Sequence, residues 1–180
     1  MILSIDEQNY RYAFSVLMNH EGGLSDDPND SGGLTKFGLT IQFLKDHNID
    51  VNGDGIIDKD DIYALTISKA KQIYFDCFWT EYQYWRIADV NVATKIFDMA
   101  VNMGEITAHK IAQRALNALG QNVAVDGFLG KHSFDAISNV NPRYLQQELR
   151  DLSKAHYLDI IEKNPKDKVF ENDWLRRAAW

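Results

Sequence analysis

Through most of this 180-residue chain, apolar residues recur at spacings of three and four, in runs bracketed by helix start and stop signals. That periodicity restricts the fold to packed helices. Ser4 and Glu7 form an S-x-x-E capping box, after which Tyr10, Ala13, Phe14, Leu17 and Met18 line one face of a first helix. Gly22-Gly23 stops that helix just after Glu21. Residues 24–33 are polar and rich in turn formers, which predicts a loop or short hairpin, and residues 35–40 (TKFGLT) predict a short strand. Thr40 can then cap a helix over 41–47, and Thr66 another running to about Phe78. Asp89 or Asn91 opens a helix that ends at Gly104, and residues 107–119 repeat the scheme up to Gly120. A weak helix near 132–138 follows the turn VDGFLGK. Pro142 opens a long helix to about Lys163, Pro165 breaks it, and a short helix over about 172–180 closes the chain. No linker, low-complexity tract or repeat divides the sequence. The expectation is a mainly α fold: one compact helical domain with a small loop or β element near residues 24–40.

Composition narrows the classes further. A hydrophobic share of 45% with 12% aromatics supports a large core and excludes intrinsic disorder. No apolar run approaches the roughly 20 residues of a spanning helix, so membrane insertion is not expected. The N-terminus has no basic stretch followed by an apolar one, so the chain is expected to be made in the cytoplasm without a signal peptide. Cys77 is the only cysteine, and in the run IYFDCFW it reads as a small buried hydrophobe rather than a nucleophile. A formal charge of -7 argues against a nucleic-acid partner.

Glu21 is the first candidate for chemistry. A helix C-terminus carries partial negative charge, which together with partial burial pushes an adjacent carboxyl toward its protonated form. A glycosidase general acid must hold its proton near neutral pH. Asp30, nine residues on, supplies a second carboxylate, and Thr35 a hydroxyl able to orient water. The three form a sufficient set for glycoside hydrolysis. They fit an ordinary helix end followed by a polar turn equally well, and spacing alone does not separate the two.

Residues 20–40, HEGGLSDDPNDSGGLTKFGLT, resemble the signature E-G-G-x(6)-D-x-G-G-x-T-x-x-G-[IL]-T of glycoside hydrolase family 108, the bacterial and phage N-acetylmuramidases. KIFDMAVNMG at 95–104 is similar to the family's F-D-x-A-V-N-x-G helix. VDGFLG at 125–130 and the W-L-x-R of Trp174 to Arg177 resemble its C-terminal half, although Asn172-Asp173 stand where that half has a glycine. The resemblance implies a lysozyme-like helical fold and cleavage of the β-1,4 bond between N-acetylmuramic acid and N-acetylglucosamine. Glu21 would be the essential acid, with Asp30 and Thr35 in secondary roles, as in the Glu, Asp, Thr order of phage-type lysozymes. It implies a catalytic region over 1–90 and a helical, peptidoglycan-binding region over 91–180 packed on it as one unit. The partner is then the peptidoglycan glycan strand, attacked by a monomer that reaches the wall by holin release or dedicated export. Thr40, Trp79, Asp98 and Asn102 are candidates to line the sugar groove. Each has a structural alternative: Thr40 as a cap, Asp98 and Asn102 as a polar pair at a helix end, and Trp79 as core. A lytic transglycosylase, which needs one acid and no activated water, and a non-catalytic wall-binding module stay open.

Residues 50–61 hold five aspartates and one lysine, a net of -4. The segment fits a twelve-position calcium loop, with Asp50, Asn52 and Asp54 at positions 1, 3 and 5, and Gly55 at the turn. Ile56 supplies a backbone carbonyl, Asp58 and Asp61 stand at positions 9 and 12, and Ile57 faces inward. The loop resembles that of dockerin modules, closed by Asp rather than Glu, and the expectation is a structural Ca²⁺. A degenerate acidic turn between two helices is the alternative.

Overall fold

The computed structural model describes residues 4–20, 24–25 and 34–180. Its described part holds nine α-helices and one small sheet. Helix α1 (Ile5–His20) begins where the capping box predicts. The Ser4 N–H donates to Glu7 Oε2 at 2.8 Å and the Glu7 N–H donates back to Ser4 Oγ at 3.2 Å. Three two-residue strands follow: β1 (Leu24–Ser25), β2 (Thr35–Lys36) and β3 (Leu39–Thr40), antiparallel in that order. The single strand expected over 35–40 is therefore two strands around a Phe37-Gly38 turn. Both turn residues have positive φ, 56° and 79°, the geometry whose twist matches paired strands. Phenylalanine is an unfavourable choice there. A contact remote in sequence holds it: Tyr74 Oη donates to the Phe37 carbonyl at 3.0 Å.

Thr40 ends β3 and caps α2 (Ile41–Asp46), its Oγ1 accepting the Phe43 N–H at 3.0 Å. Helices α3 (Lys59–Ala64) and α4 (Ile67–Tyr74) follow the acidic loop, the second capped by Thr66. The helix expected to run to Phe78 closes at Tyr74, and the chain widens into a π-helical turn, Phe75–Thr80. That widening carries Phe78 and Trp79 into the core. Helix α5 (Val90–Met103) starts at Asp89, whose carboxylate accepts the N–H groups of Asn91 and Val92 at 3.0 Å.

Helix α5 organises everything else. Its residues from Val92 to Ala100 are all buried, the signature of a helix enclosed on every side. It packs against α1, α6 (Glu105–Ala118) and α8 (Pro142–Lys163), and the Phe97 ring meets those of Tyr10, Tyr74, Phe78, Trp79 and Tyr84 edge-on. Helix α7 (Lys131–Asn139) packs on α6. Helix α9 (Glu171–Ala179) follows the Pro165 break and folds back on α8.

Candidate active site

Of the three residues expected to do chemistry, Glu21 and Asp30 lie outside the described residues. Thr35 is described. It sits half-buried in β2, paired with Ser25 on one side and Thr40 on the other. Directly opposed residues on neighbouring strands share a face, so Thr35 and Thr40 come together although the sequence separates them by a turn. The Lys36 ammonium donates to the Tyr63 carbonyl at 2.9 Å, fixing the hairpin to α3.

The end of α1 is held by a charge cluster. His20, its last residue, places Nδ1 3.0 Å from Asp98 Oδ1. Arg177 grips the same carboxylate with two donors, Nε to Oδ2 at 3.0 Å and Nη2 to Oδ1 at 2.9 Å. An ionised carboxylate only accepts, so His20 carries its proton on Nδ1. Burial of Asp98 favours its neutral form, but the His20 ring and the Arg177 guanidinium outweigh that and hold its carboxyl below the usual range. Lys95, also buried, donates to the carbonyls of Arg177 and Ala178 at 2.9 and 3.0 Å, closing the C-terminal turn of α9 with a cation. Desolvation brings the Lys95 ammonium down to about 8. The Trp180 ring meets His20 edge-on, and its carbonyl accepts from Arg150 Nε at 2.7 Å.

These contacts correct two of the groove residues. Asp98 is 1% exposed with both oxygens engaged, so it braces α1 against α5 and α9 instead of meeting a sugar. Trp79 is 0% exposed and donates Nε1 to Asp6 Oδ1 at 2.8 Å, so it offers no face for stacking. Asn102 stays at the surface, where its side-chain oxygen accepts from Tyr157 Oη at 2.5 Å. Thr40 has its hydroxyl oxygen engaged as the α2 cap. Sequence reasoning gave His20 no role and did not pair Arg177 with anything. The W-L-x-R motif was the available signal, but Asp98 lies 79 residues before Arg177, and His20 a further 78 before Asp98. Cys77 is half-buried, and burial pushes its thiol up, away from nucleophile chemistry.

In the acidic loop each side chain first serves the loop's own backbone. Asp50 accepts the N–H groups of Gly53 and Gly55 at 2.6 and 2.7 Å, Asn52 that of Asp54 at 2.9 Å, and Asp54 that of Ile56 at 2.8 Å. Asp58 accepts the N–H of Asp60 at 2.8 Å. Buried Asp61 takes Val51 and Asn52 on Oδ1, at 2.6 and 3.2 Å, and Asp58 on Oδ2, at 2.8 Å. Two donors exhaust Oδ1, so Asp61 has at most one oxygen for anything else. Oxygen-only donors suit a hard cation. Among the described residues, no three carboxylate, imidazole or thiol groups already converge on one point.

Comparison with known proteins agrees with this architecture. Residues 14–104 match the model of the family described as glycosyl hydrolase 108, and residues 107–179 match a predicted peptidoglycan domain. The two matched segments meet at the junction of α5 and α6. No curated protein sequence matches. Among solved structures, SagA of Brucella abortus superposes with a TM-score of 0.77 at 24% identity, covering 96% of this chain and 91% of that one, a likeness of fold. The chain belongs to the glycosyl hydrolase 108 family, as a glycoside hydrolase acting on peptidoglycan through a lysozyme-like helical fold.

Proposed function

We propose that the chain is an N-acetylmuramidase that cleaves the β-1,4 bond between N-acetylmuramic acid and N-acetylglucosamine, with Glu21 as general acid. The observation that supports this is the bracing of His20, the residue bonded to Glu21, by buried Asp98 and Arg177. A general acid must keep its position while a proton moves, and a helix end tied to two other helices meets that need. The carbonyl end of α1 supplies negative potential that favours a protonated Glu21. Asp30 is assigned the second carboxylate and Thr35 the water-orienting hydroxyl. The enzyme works as a monomer on the wall, after release or export from the cytoplasm.

Turbidity loss of outer-membrane-stripped cells tests the assignment. Glu21→Gln lowers the rate by at least about 100-fold, the usual scale of a positioned acid, with the far-ultraviolet spectrum unchanged. Full activity in a folded Glu21→Gln protein removes it. Mass spectrometry of the products reads the reaction type: new reducing ends mark hydrolysis, whereas 1,6-anhydro ends mark transglycosylation.

We also propose that the 50–61 loop holds one Ca²⁺ through Asp50, Asn52, Asp54, Asp58, the Ile56 carbonyl and Asp61, the last also bracing the loop. A cation bound at a hundredfold excess over its Kd adds about 2.7 kcal/mol, a rise of roughly 5–10 °C in Tm for a chain of this size. An identical Tm in Ca²⁺ and in chelator overturns the loop assignment and leaves the glycosidase reading untouched.

A further inference from the structure

The turn Val125–Gly130 has no part in the site described above, yet it is among the most carefully supported backbone segments in the molecule. Gln113, 1% exposed, accepts the Gly127 N–H on Oε1 at 2.8 Å and donates Nε2 to the Phe128 carbonyl at 3.0 Å and to Asp126 Oδ1 at 2.7 Å. Asp126 Oδ1 also accepts the Phe128 N–H at 2.8 Å. His109, 3% exposed, lies 3.0 Å from the Gly127 carbonyl through Nδ1 and 2.8 Å from Tyr84 Oη through Nε2. A carbonyl only accepts, so Nδ1 bears the proton, and a neutral His109 then receives the Tyr84 hydroxyl on Nε2. Burial favours that neutral ring. Gly127, at φ 86°, touches Ile106 so closely that an added Cβ would meet Ile106 Cγ2 at 2.9 Å.

All this support presents an aromatic ring to water. Phe128 is 73% exposed, with exposed Val125 close in sequence and exposed Ile106 packed against Gly127. On each side of it lies a cavity. One, of about 360 Å³, is lined by Tyr82, Ile106, Phe128 and three carboxylates, Glu81, Glu105 and Asp126. The other, of about 440 Å³, shares Asp126 and Phe128 and adds Asn122, His132, Ser133 and Lys131, whose ammonium is paired with Asp135 at 2.6 Å. Both sizes fall in the range of small-ligand sites. The backbone that carries the exposed ring is fixed by buried polar groups, so the turn loses little freedom when something covers it.

We propose that this turn and its two cavities form a second carbohydrate subsite, in which the Phe128 ring is the platform for the apolar face of an N-acetylated sugar of the glycan strand. Charge selects the occupant. The carboxylates beside Phe128 repel the anionic ends of peptide stems and accept hydrogen bonds from neutral sugar hydroxyls. The Asn122 amide, the Ser133 hydroxyl and the His132 ring supply partners for an N-acetyl group. The inference rests on peptidoglycan being the substrate, and not on Glu21 being the acid.

The test is co-sedimentation with intact sacculi, using Glu21→Gln as the parent and reading pelleted protein and released sugar separately. Soluble glycan strands freed of their stems compete and displace the protein. Phe128→Ala binds about five- to tenfold more weakly than the parent, a loss on the scale of one stacking contact. Phe128→Leu loses as much, because it keeps apolar bulk without a planar face, whereas Phe128→Trp retains binding. Free stem peptide does not compete. The subsite is overturned if Phe128→Leu binds like the parent or if stem peptide displaces the protein. It is equally overturned if Phe128→Ala acts only by abolishing self-association in sedimentation velocity. Sugar released by the parent itself counts against Glu21 alone.

Discussion

The buried polar groups under the end of α1 and those under the 125–130 turn solve the same problem with different chemistry. Beneath α1, Asp98, Arg177 and Lys95 are ionic, and they hold whole helices to one another. Beneath the turn, Gln113, His109 and Tyr84 are neutral, and they hold single backbone groups. An ionic cluster tolerates no missing member, because the survivor is a charge without a counter-charge in a poorly polarisable interior. A neutral cluster that loses a member leaves one or two orphaned groups, and the damage stays local. The first arrangement therefore fixes the relation between distant parts of the chain, and the second fixes the shape of one short segment.

The sharpest way to break this contrast is Arg177→Met. Stranding Asp98 in the interior costs about 3–5 kcal/mol, a fall of roughly 6–20 °C in Tm by calorimetry. Adding Asp98→Leu to Arg177→Met recovers much of it, because the stranded charge goes; a double variant worse than the single would show that the ions themselves are needed. Acidity probes the same cluster. The Asp98 carboxyl is held below its ordinary 3.8 in the folded chain, so the folded state binds fewer protons than the unfolded one. Its stabilising contribution is complete above pH 3.8 and disappears as the pH falls through the lower folded value. Denaturant titrations from pH 6 to pH 2 in the wild type and in Asp98→Asn therefore draw together as the pH falls.

Gln113→Ala costs less, about 1–3 kcal/mol, because Gly127 and Phe128 lose their partners. Amide exchange accelerates at 126–129 before it does in α5; uniform acceleration would put the turn in the same cooperative unit as the core. Ser4→Ala lies outside both clusters and removes only a helix cap, about 1 kcal/mol. Its effect adds to that of Gln113→Ala within experimental error, as remote sites do.

The local part of this architecture was legible in the chain. Pro142 and Pro165 bound α8, Asp89 opens α5, and the Ser4–Glu7 pair opens α1, because caps and prolines act over three or four residues. What escaped reading depends on partners far away. A phenylalanine at positive φ argues against a tight turn until Tyr74, 37 residues on, is found holding its carbonyl. The π-helical turn that buries Trp79 has no local signature, so a ring that could have been a sugar platform is core. Asp98 reads from the sequence as a groove residue or part of a polar pair at a helix end, and its inward partner Arg177 lies 79 residues away. Of the hydrolytic set, Thr35 is seen in its strand beside Thr40, while Glu21 and Asp30 remain assignments from the sequence.

Helix α5 belongs to the segment matched by the hydrolase family, yet much of what encloses it comes from the segment matched by the peptidoglycan domain. The two cannot be exchanged like beads on a string. A chimera that grafts a foreign wall-targeting module after Gly104 would strip α6 and α8 from α5 and leave a naked carboxylate where Arg177 had been. Changes of target range that spare the fold are then expected in surface turns, since the interior of the hydrolytic half runs without a break into that of the other.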